Sequence, residues 1–212
     1  EAGFKDTLIT ASNDLDEATI LNLKAQGAKI DMWGVGTKLI TAYDQPALGA
    51  VYKMVSIEDE DGRMVDTIKI SANPEKVTTP GMKKVYRIIN KETKKSEGDY
   101  ITLDFENPAE ENTLTMFHPV HTFMCKEVTN FDAVPLHENI FVNGELVYET
   151  PDLADIQQFA KDNLELLWDE YKRFLNPEKY PVDLSPKCWE NKRVRIQEVQ
   201  DYVRKTQIKT KN

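Results

Sequence analysis

Two short stretches hold residues whose types and spacing suit an anionic sugar phosphate. The first is Gly34-Val35-Gly36-Thr37-Lys38, within KIDMWGVGTKLI. Glycine packs no side chain and costs backbone entropy, so a pair at a strand end marks backbone that approaches another group closely. Glycine N–H groups can face phosphate oxygens as in anion-binding nests, while Thr37 adds a hydroxyl and Lys38 a charge. The second stretch is Ser12-Asn13-Asp14, followed by the acids Asp16 and Glu17. A phosphate there would meet like charge, whereas the Gly34 stretch has no acid between Asp31 and Asp44. Phosphate is therefore expected at Gly34, Val35, Gly36 and Thr37. Asp14 is expected to serve a sugar hydroxyl or a magnesium-bound water.

Other candidate residues carry less. His118, His121 and Cys125 lie close in FHPVHTFMCKEV, and Cys188 could complete a tetrahedron. Their spacing departs from that of ordinary zinc sites. On a strand His118 and His121 would point to opposite faces, so packing roles are expected and no metal. Lys76, Lys83, Lys84 and Arg87 form a basic cluster that is expected to be a solvated face. Arg87 is its candidate phosphate contact, because guanidinium suits phosphate oxygens better than ammonium does. The acid run Glu58-Asp59-Glu60-Asp61 is expected to be a solvated turn, and no nucleophile arrangement is arguable.

The elements that must position the two stretches are a strand, a helix and a strand. DTLITAS is a short strand that ends in turn-forming residues. DEATILNLKAQGA carries Ile20, Leu23 and Ala28 at helical spacing and ends near Gly27. Asp14 and Glu17 predict a capping box at its start. KIDMWG is the second strand. Short connections make this a right-handed parallel βαβ unit. One such unit cannot cover a parallel strand pair on both faces. A closed barrel needs eight units and about 250 residues. The expectation is that residues 1–49 are the last βα units of an α/β barrel, whose phosphate loops lie at strand C-terminal ends.

From residue 50 the pattern changes. VYKMVSI with MVDTIKI, and KKVYRII with DYITLDF, read as antiparallel hairpins, and Asn143-Gly144 is a strong hairpin turn. Residues 50–150 are thus a β-rich hairpin region. Residues 151–212 are a C-terminal helical segment. Within it, 153–175 is expected to be one amphipathic helix whose stripe of Leu153, Ile156, Ala160, Leu164, Leu167, Tyr171 and Phe174, with Phe159 and Trp168 beside it, faces the core. A final helix over 190–207 is expected to be mostly solvated.

The bulk numbers set bounds. The chain has 212 residues, 40% hydrophobic and 30% charged, enough for a real core. A net charge of -9 argues against nucleic acid or an anionic membrane as partner. Two cysteines cannot form a disulfide framework, which points to a reducing, cytoplasmic compartment. No apolar run approaches the roughly 20 residues of a membrane span. The chain begins at Glu1 without methionine, which hints at a longer polypeptide.

At these residues the sequence resembles a known family. ITASNDLDEATI, GVGTKLITAYDQPALGAVYKMV and KISANPEKVTTPGMKKVYRI are similar to the C-terminal half of nicotinate phosphoribosyltransferase, and LWDEYKRFLNPEKYPVDLSPKCWENK to its longer bacterial form. The resemblance covers essentially the whole chain. It implies an enzyme that joins nicotinate to phosphoribosyl pyrophosphate, forming nicotinate mononucleotide and pyrophosphate with coupled ATP hydrolysis and Mg2+. It implies an irregular α/β barrel plus a domain built from both chain termini, in a homodimer. Carried over by position, Gly34, Gly36 and Thr37 would hold the ribose 5-phosphate, with Ser12, Asn13 and Asp14 on the ribose side. The family's phosphorylated histidine and main nicotinate-binding residues belong to the earlier half, so no catalytic residue is assigned here and the chain alone is expected to be inactive. The alternative is a non-catalytic β-rich interaction or assembly module with a vestigial phosphate loop. A self-contained module should cover the apolar faces of its βαβ unit, and a fragment should expose them.

Overall fold

In the computed structural model, residues 3–121 and 123–209 are described; Glu1 lies outside them. The chain divides into two compact units, residues 1–52 and 53–212.

The first unit holds β1 (Thr10–Ser12), α1 (Glu17–Ala25), β2 (Met32–Gly34) and α2 (Thr37–Ile40). β1 and β2 pair in parallel, so the βαβ reading holds, with strands shorter than their apolar runs. The N-cap of α1 is Asp16, whose carboxylate accepts from the Thr19 N–H at 2.7 Å. The expected capping box from Asp14 does not form. Asn13 (φ 86) and Asp14 (φ 49) are left-handed and turn the chain off β1 before the helix begins. α1 buries none of its residues, and Ile40 in α2 is 86% exposed.

The second unit begins with a hairpin of β3 (Ser56–Glu58) and β4 (Met64–Asp66), closed by the acid turn. There follow β5 (Lys83–Asn90), β6 (Ser96–Leu103), β7 (Thr113–Phe117), β8 (Cys125–Thr129) and β9 (Phe131–Pro135). A small hairpin joins β10 (Phe141–Val142) to β11 (Glu145–Leu146) through Asn143 (φ 52) and Gly144 (φ 84), the positive angles such a turn requires. Then come α3 (Leu153–Glu165), α4 (Asp169–Lys172), β12 (Val182–Leu184) and α5 (Pro186–Lys209).

Six strands form one mixed sheet in the order β8-β7-β12-β6-β5-β9. β8 and β9 lie at opposite edges, yet only Asn130, left-handed at φ 52, separates them in sequence. Edges joined by one residue must meet, so the sheet is rolled. Its inner face is packed with Tyr86, Ile88, Tyr100, Leu114, Met116, Val128 and Phe131. The opposite face packs Leu103 and Leu184 against Cys188 of α5, with Ile101 and Trp189 beside them. Period-two alternation along β6 sends Tyr100 one way and Ile101 the other.

Four expectations for the C-terminal segment are corrected. PVDLS holds a strand, β12, which runs parallel to β6 and antiparallel to β7 inside the sheet. The 153–175 helix is broken after Glu165, where the Leu166 carbonyl accepts from Ser96 N–H at 2.7 Å. Its stripe is not core, because α3 has no buried residue and Phe159 is 70% exposed. The last helix starts earlier than expected, at Pro186, and its first turns are packed through Cys188 and Lys192.

Gly98 shows why β12 can dock. Its φ is +134, and a Cβ there would lie 2.8 Å from Pro181 Cγ and 2.9 Å from the Pro181 carbonyl oxygen. No helix among the described residues is long and apolar enough to cross a membrane.

Candidate functional site

The parallel register places Ser12 opposite Gly34, so both stretches singled out in the sequence end side by side. A Cβ on Gly34 would meet Ser12 Oγ at 3.1 Å and Ser12 Cβ at 3.4 Å. The first glycine thus answers to the neighbouring strand. Gly36 does not, since a Cβ there meets nothing within 4 Å and its φ is -124. It stands at the start of α2 with no side-chain cap, and Thr37 follows with its carbonyl accepting from Thr41 Oγ1 at 2.7 Å. The glycine pair therefore has two separate roles, close strand packing and open backbone.

Across the strand pair, Asn13 and Asp14 sit in left-handed backbone at the end of β1, a strain of the kind often found at binding sites. No hydrogen-bond donor among the described residues reaches the Asp14 carboxylate. Lys38 is arranged differently from its expected role. Its ammonium pairs with the Asp16 carboxylate and lies 5.6 Å from the Tyr43 ring centroid, so its charge is already partnered. The same hydrogen bond holds the Asp16 carboxyl well below the usual aspartate range and raises Lys38. A cavity of about 340 Å³ beside this pair is lined by Leu15, Val35 and Tyr43 among others. Asp16, Glu17 and Asp44 outnumber Lys38 in that lining, which suits it poorly to an anion.

Arg87 belongs to the second unit. Its guanidinium donates to Asp99 through Nε at 2.9 Å and Nη2 at 3.2 Å, and to Asn163 of α3 at 2.9 Å. The Tyr180 ring lies 5.8 Å away, and the Tyr180 hydroxyl donates to Asp99 at 2.9 Å. Burial pushes that phenol up to about 12. The side chain expected to contact phosphate thus ties α3 and the approach to β12 onto the sheet. Lys83 is likewise not solvated, because its ammonium donates to the Thr79 carbonyl at 2.7 Å and to the Gly81 carbonyl, and burial lowers it.

His118 and His121 occupy the turn between β7 and β8, not a strand, and their ring centroids are 4.8 Å apart. His118 Nδ1 accepts the backbone N–H groups of Val120 (3.1 Å) and His121 (2.9 Å), which is a turn-closing role. Cys125 is exposed and Cys188 buried. Among the described residues no three His, Cys, Asp or Glu side chains are grouped to hold a metal ion. Sequence reading missed Asp183, a buried carboxylate in β12; the signal was an acid between Val182 and Leu184 in an otherwise apolar strand.

A family model described as the nicotinate phosphoribosyltransferase C-terminal domain matches residues 82–192. The chain is 67% identical over 203 residues to nicotinate phosphoribosyltransferase of Bacillus subtilis, covering 96% of this chain and 41% of that protein. It is 32% identical to the Caenorhabditis elegans protein of the same name, covering 88% of this chain and 33% of that one. The fold matches the crystal structure of human nicotinic acid phosphoribosyltransferase with a TM-score of 0.62 at 23% identity, over 86% of this chain and 32% of that chain. The chain spans less than half the length of these relatives. Its rolled sheet, β12 and the start of α5 all fall within the matched residues, and the chain belongs to the nicotinate phosphoribosyltransferase family.

Proposed function

We propose that this chain is the C-terminal part of an enzyme that forms nicotinate mononucleotide and pyrophosphate from nicotinate and phosphoribosyl pyrophosphate, with coupled ATP hydrolysis. The observation that carries the proposal is the Ser12–Gly34 register, which sets both candidate stretches at one end of a parallel strand pair. In this reading the backbone of Gly34, Val35, Gly36 and Thr37 receives the 5-phosphate, and Ser12, Asn13 and Asp14 face the ribose. The strand pair is then the last part of an α/β barrel completed by the N-terminal half. The exposed apolar residues of the first unit support that arrangement over a self-contained assembly module.

Asp14 and Asn13 offer carboxylate and amide oxygens, the ligands Mg2+ takes alongside substrate phosphates and water. Bound there, the ion would neutralise pyrophosphate charge; the chain's own part is to hold the ribose and phosphate in place. With the catalytic base-binding groups in the other half, the chain by itself is inactive. The complete enzyme is a cytoplasmic homodimer in this proposal, which the two free cysteines suit.

The test is phosphoribosyl pyrophosphate binding by the complete polypeptide with Gly36→Trp. Within this chain a Cβ at this position meets open space, and circular dichroism of the variant checks that it folds. The indole then occupies the room proposed for phosphate, and binding falls at least about a hundredfold, the scale of losing several charge-assisted hydrogen bonds. Unchanged binding would remove the loop from the site.

A further inference from the structure

A cavity of about 590 Å³ opens in the second unit, lined by His118, His121, Lys126, Tyr171, Tyr180 and Asp183 among others. Its volume is in the range of small-molecule sites. Asp183 is the unusual member. It lies opposite Tyr100 in the β12–β6 register, so it shares the inner face with the apolar core and is only 7% exposed. No hydrogen-bond donor among the described residues reaches its carboxylate. Its oxygens are not among the fully buried side-chain atoms left without a partner, so they face the cavity, where a donor can reach them. Lys126 and His118 lie near enough to favour its charged form but give it no hydrogen bond, and Lys126 donates its ammonium to the Glu97 carbonyl and carboxylate. Lys179 is exposed to solvent, and His118 uses Nδ1 to close its own turn.

Around this acceptor the lining is aromatic. Tyr171 and Tyr180 meet edge to face with centroids 5.4 Å apart, and the His118 and His121 rings lie together. Aromatic faces favour flat or cationic groups, and an ionised carboxylate accepts two parallel N–H bonds from a forked donor.

We propose that this cavity binds a small aromatic molecule bearing an amidine or guanidine group, with Asp183 accepting its N–H donors and the tyrosine and histidine rings enclosing its flat body. This site does not depend on the phosphate loop in the first unit. Burial of Asp183, which raises its carboxyl, is relieved when a charged donor enters.

Benzamidine is the probe, with benzoate as the matched ring that lacks donors. The complete polypeptide is labelled with 13C-methyl methionine, and the signal of Met124, another lining residue, is assigned through Met124→Leu. The expected result is a saturable Met124 shift with benzamidine and none with benzoate, weakened at least about tenfold by Asp183→Asn. The benzamidine–benzoate contrast stands on the unaltered protein even if the variant folds poorly. Absence of a saturable shift, as when another part of the polypeptide fills the cavity, overturns the proposal. So does equal binding of benzoate, or full affinity in a folded Asp183→Asn.

Discussion

Leu184→Ala probes the feature that most changes how this chain is read, the insertion of β12 between β6 and β7. Leu184 has no exposed surface and packs with Leu103 and Cys188, with Trp189 beside them. Truncation removes the hydrophobic contribution of the lost carbons and leaves a cavity that strands tied on both sides cannot collapse. Leu→Ala changes at such sites cost about 2.7–5 kcal/mol, and about 3 kcal/mol is expected here. That is a large share of the roughly 5–15 kcal/mol stability of a typical domain. With a urea slope of about 2 kcal/mol/M, the unfolding midpoint falls by about 1.5 M. The assay is equilibrium urea unfolding followed by Trp189 fluorescence in a Trp33→Phe, Trp168→Phe background, since Trp189 stacks on Phe117 of β7 at 5.0 Å. Val182→Ala, at a neighbouring position that is 42% exposed, is the control and costs under about 1 kcal/mol. Equal, small effects of the two substitutions would refute a buried, central β12.

Gly98→Ala should cost about 2 kcal/mol or more, because the residue combines a positive φ with a 2.9 Å approach to the Pro181 carbonyl; thermal unfolding checks it. Cys125 should alkylate readily in the native protein, whereas Cys188, buried and pushed up to about 11, should react only after denaturation, as read by intact mass. The Asp16 carboxyl is depressed in the folded state, so its contribution is complete above the ordinary aspartate pKa of about 3.9 and is lost as pH falls below it. Asp16→Ala should therefore lower helical circular dichroism at neutral pH, with the difference from the unaltered chain shrinking progressively as pH falls below about 3.9.

How far the sequence could be read depended on whether the signal was local. The βαβ unit, the acid-turn hairpin, the β5–β6 hairpin and the Asn143-Gly144 turn are each written in a few adjacent residues, and all formed. β12 is three residues long and is fixed by partners 65 or more positions away, so its run carried no period to detect. The α3 stripe has helical periodicity, but periodicity reports an amphipathic face and not what covers it. At the site, the Ser12–Gly34 pairing follows from parallel strands of matched length, while the Lys38–Asp16 and Arg87–Asp99 pairs are tertiary matches between charges that the sequence lists only as a net excess of acid.

The central claim is that this chain carries the phosphate side of an enzyme whose other catalytic groups lie elsewhere in a longer polypeptide. The measurement is nicotinate mononucleotide formation from nicotinate, phosphoribosyl pyrophosphate, ATP and Mg2+, with ADP release followed in parallel, for the pure 24.3 kDa chain and for the complete polypeptide. The account predicts no product from the chain alone, and product from the complete polypeptide that Gly36→Trp abolishes. Product from the 24.3 kDa species, or full activity with Gly36→Trp, would contradict it.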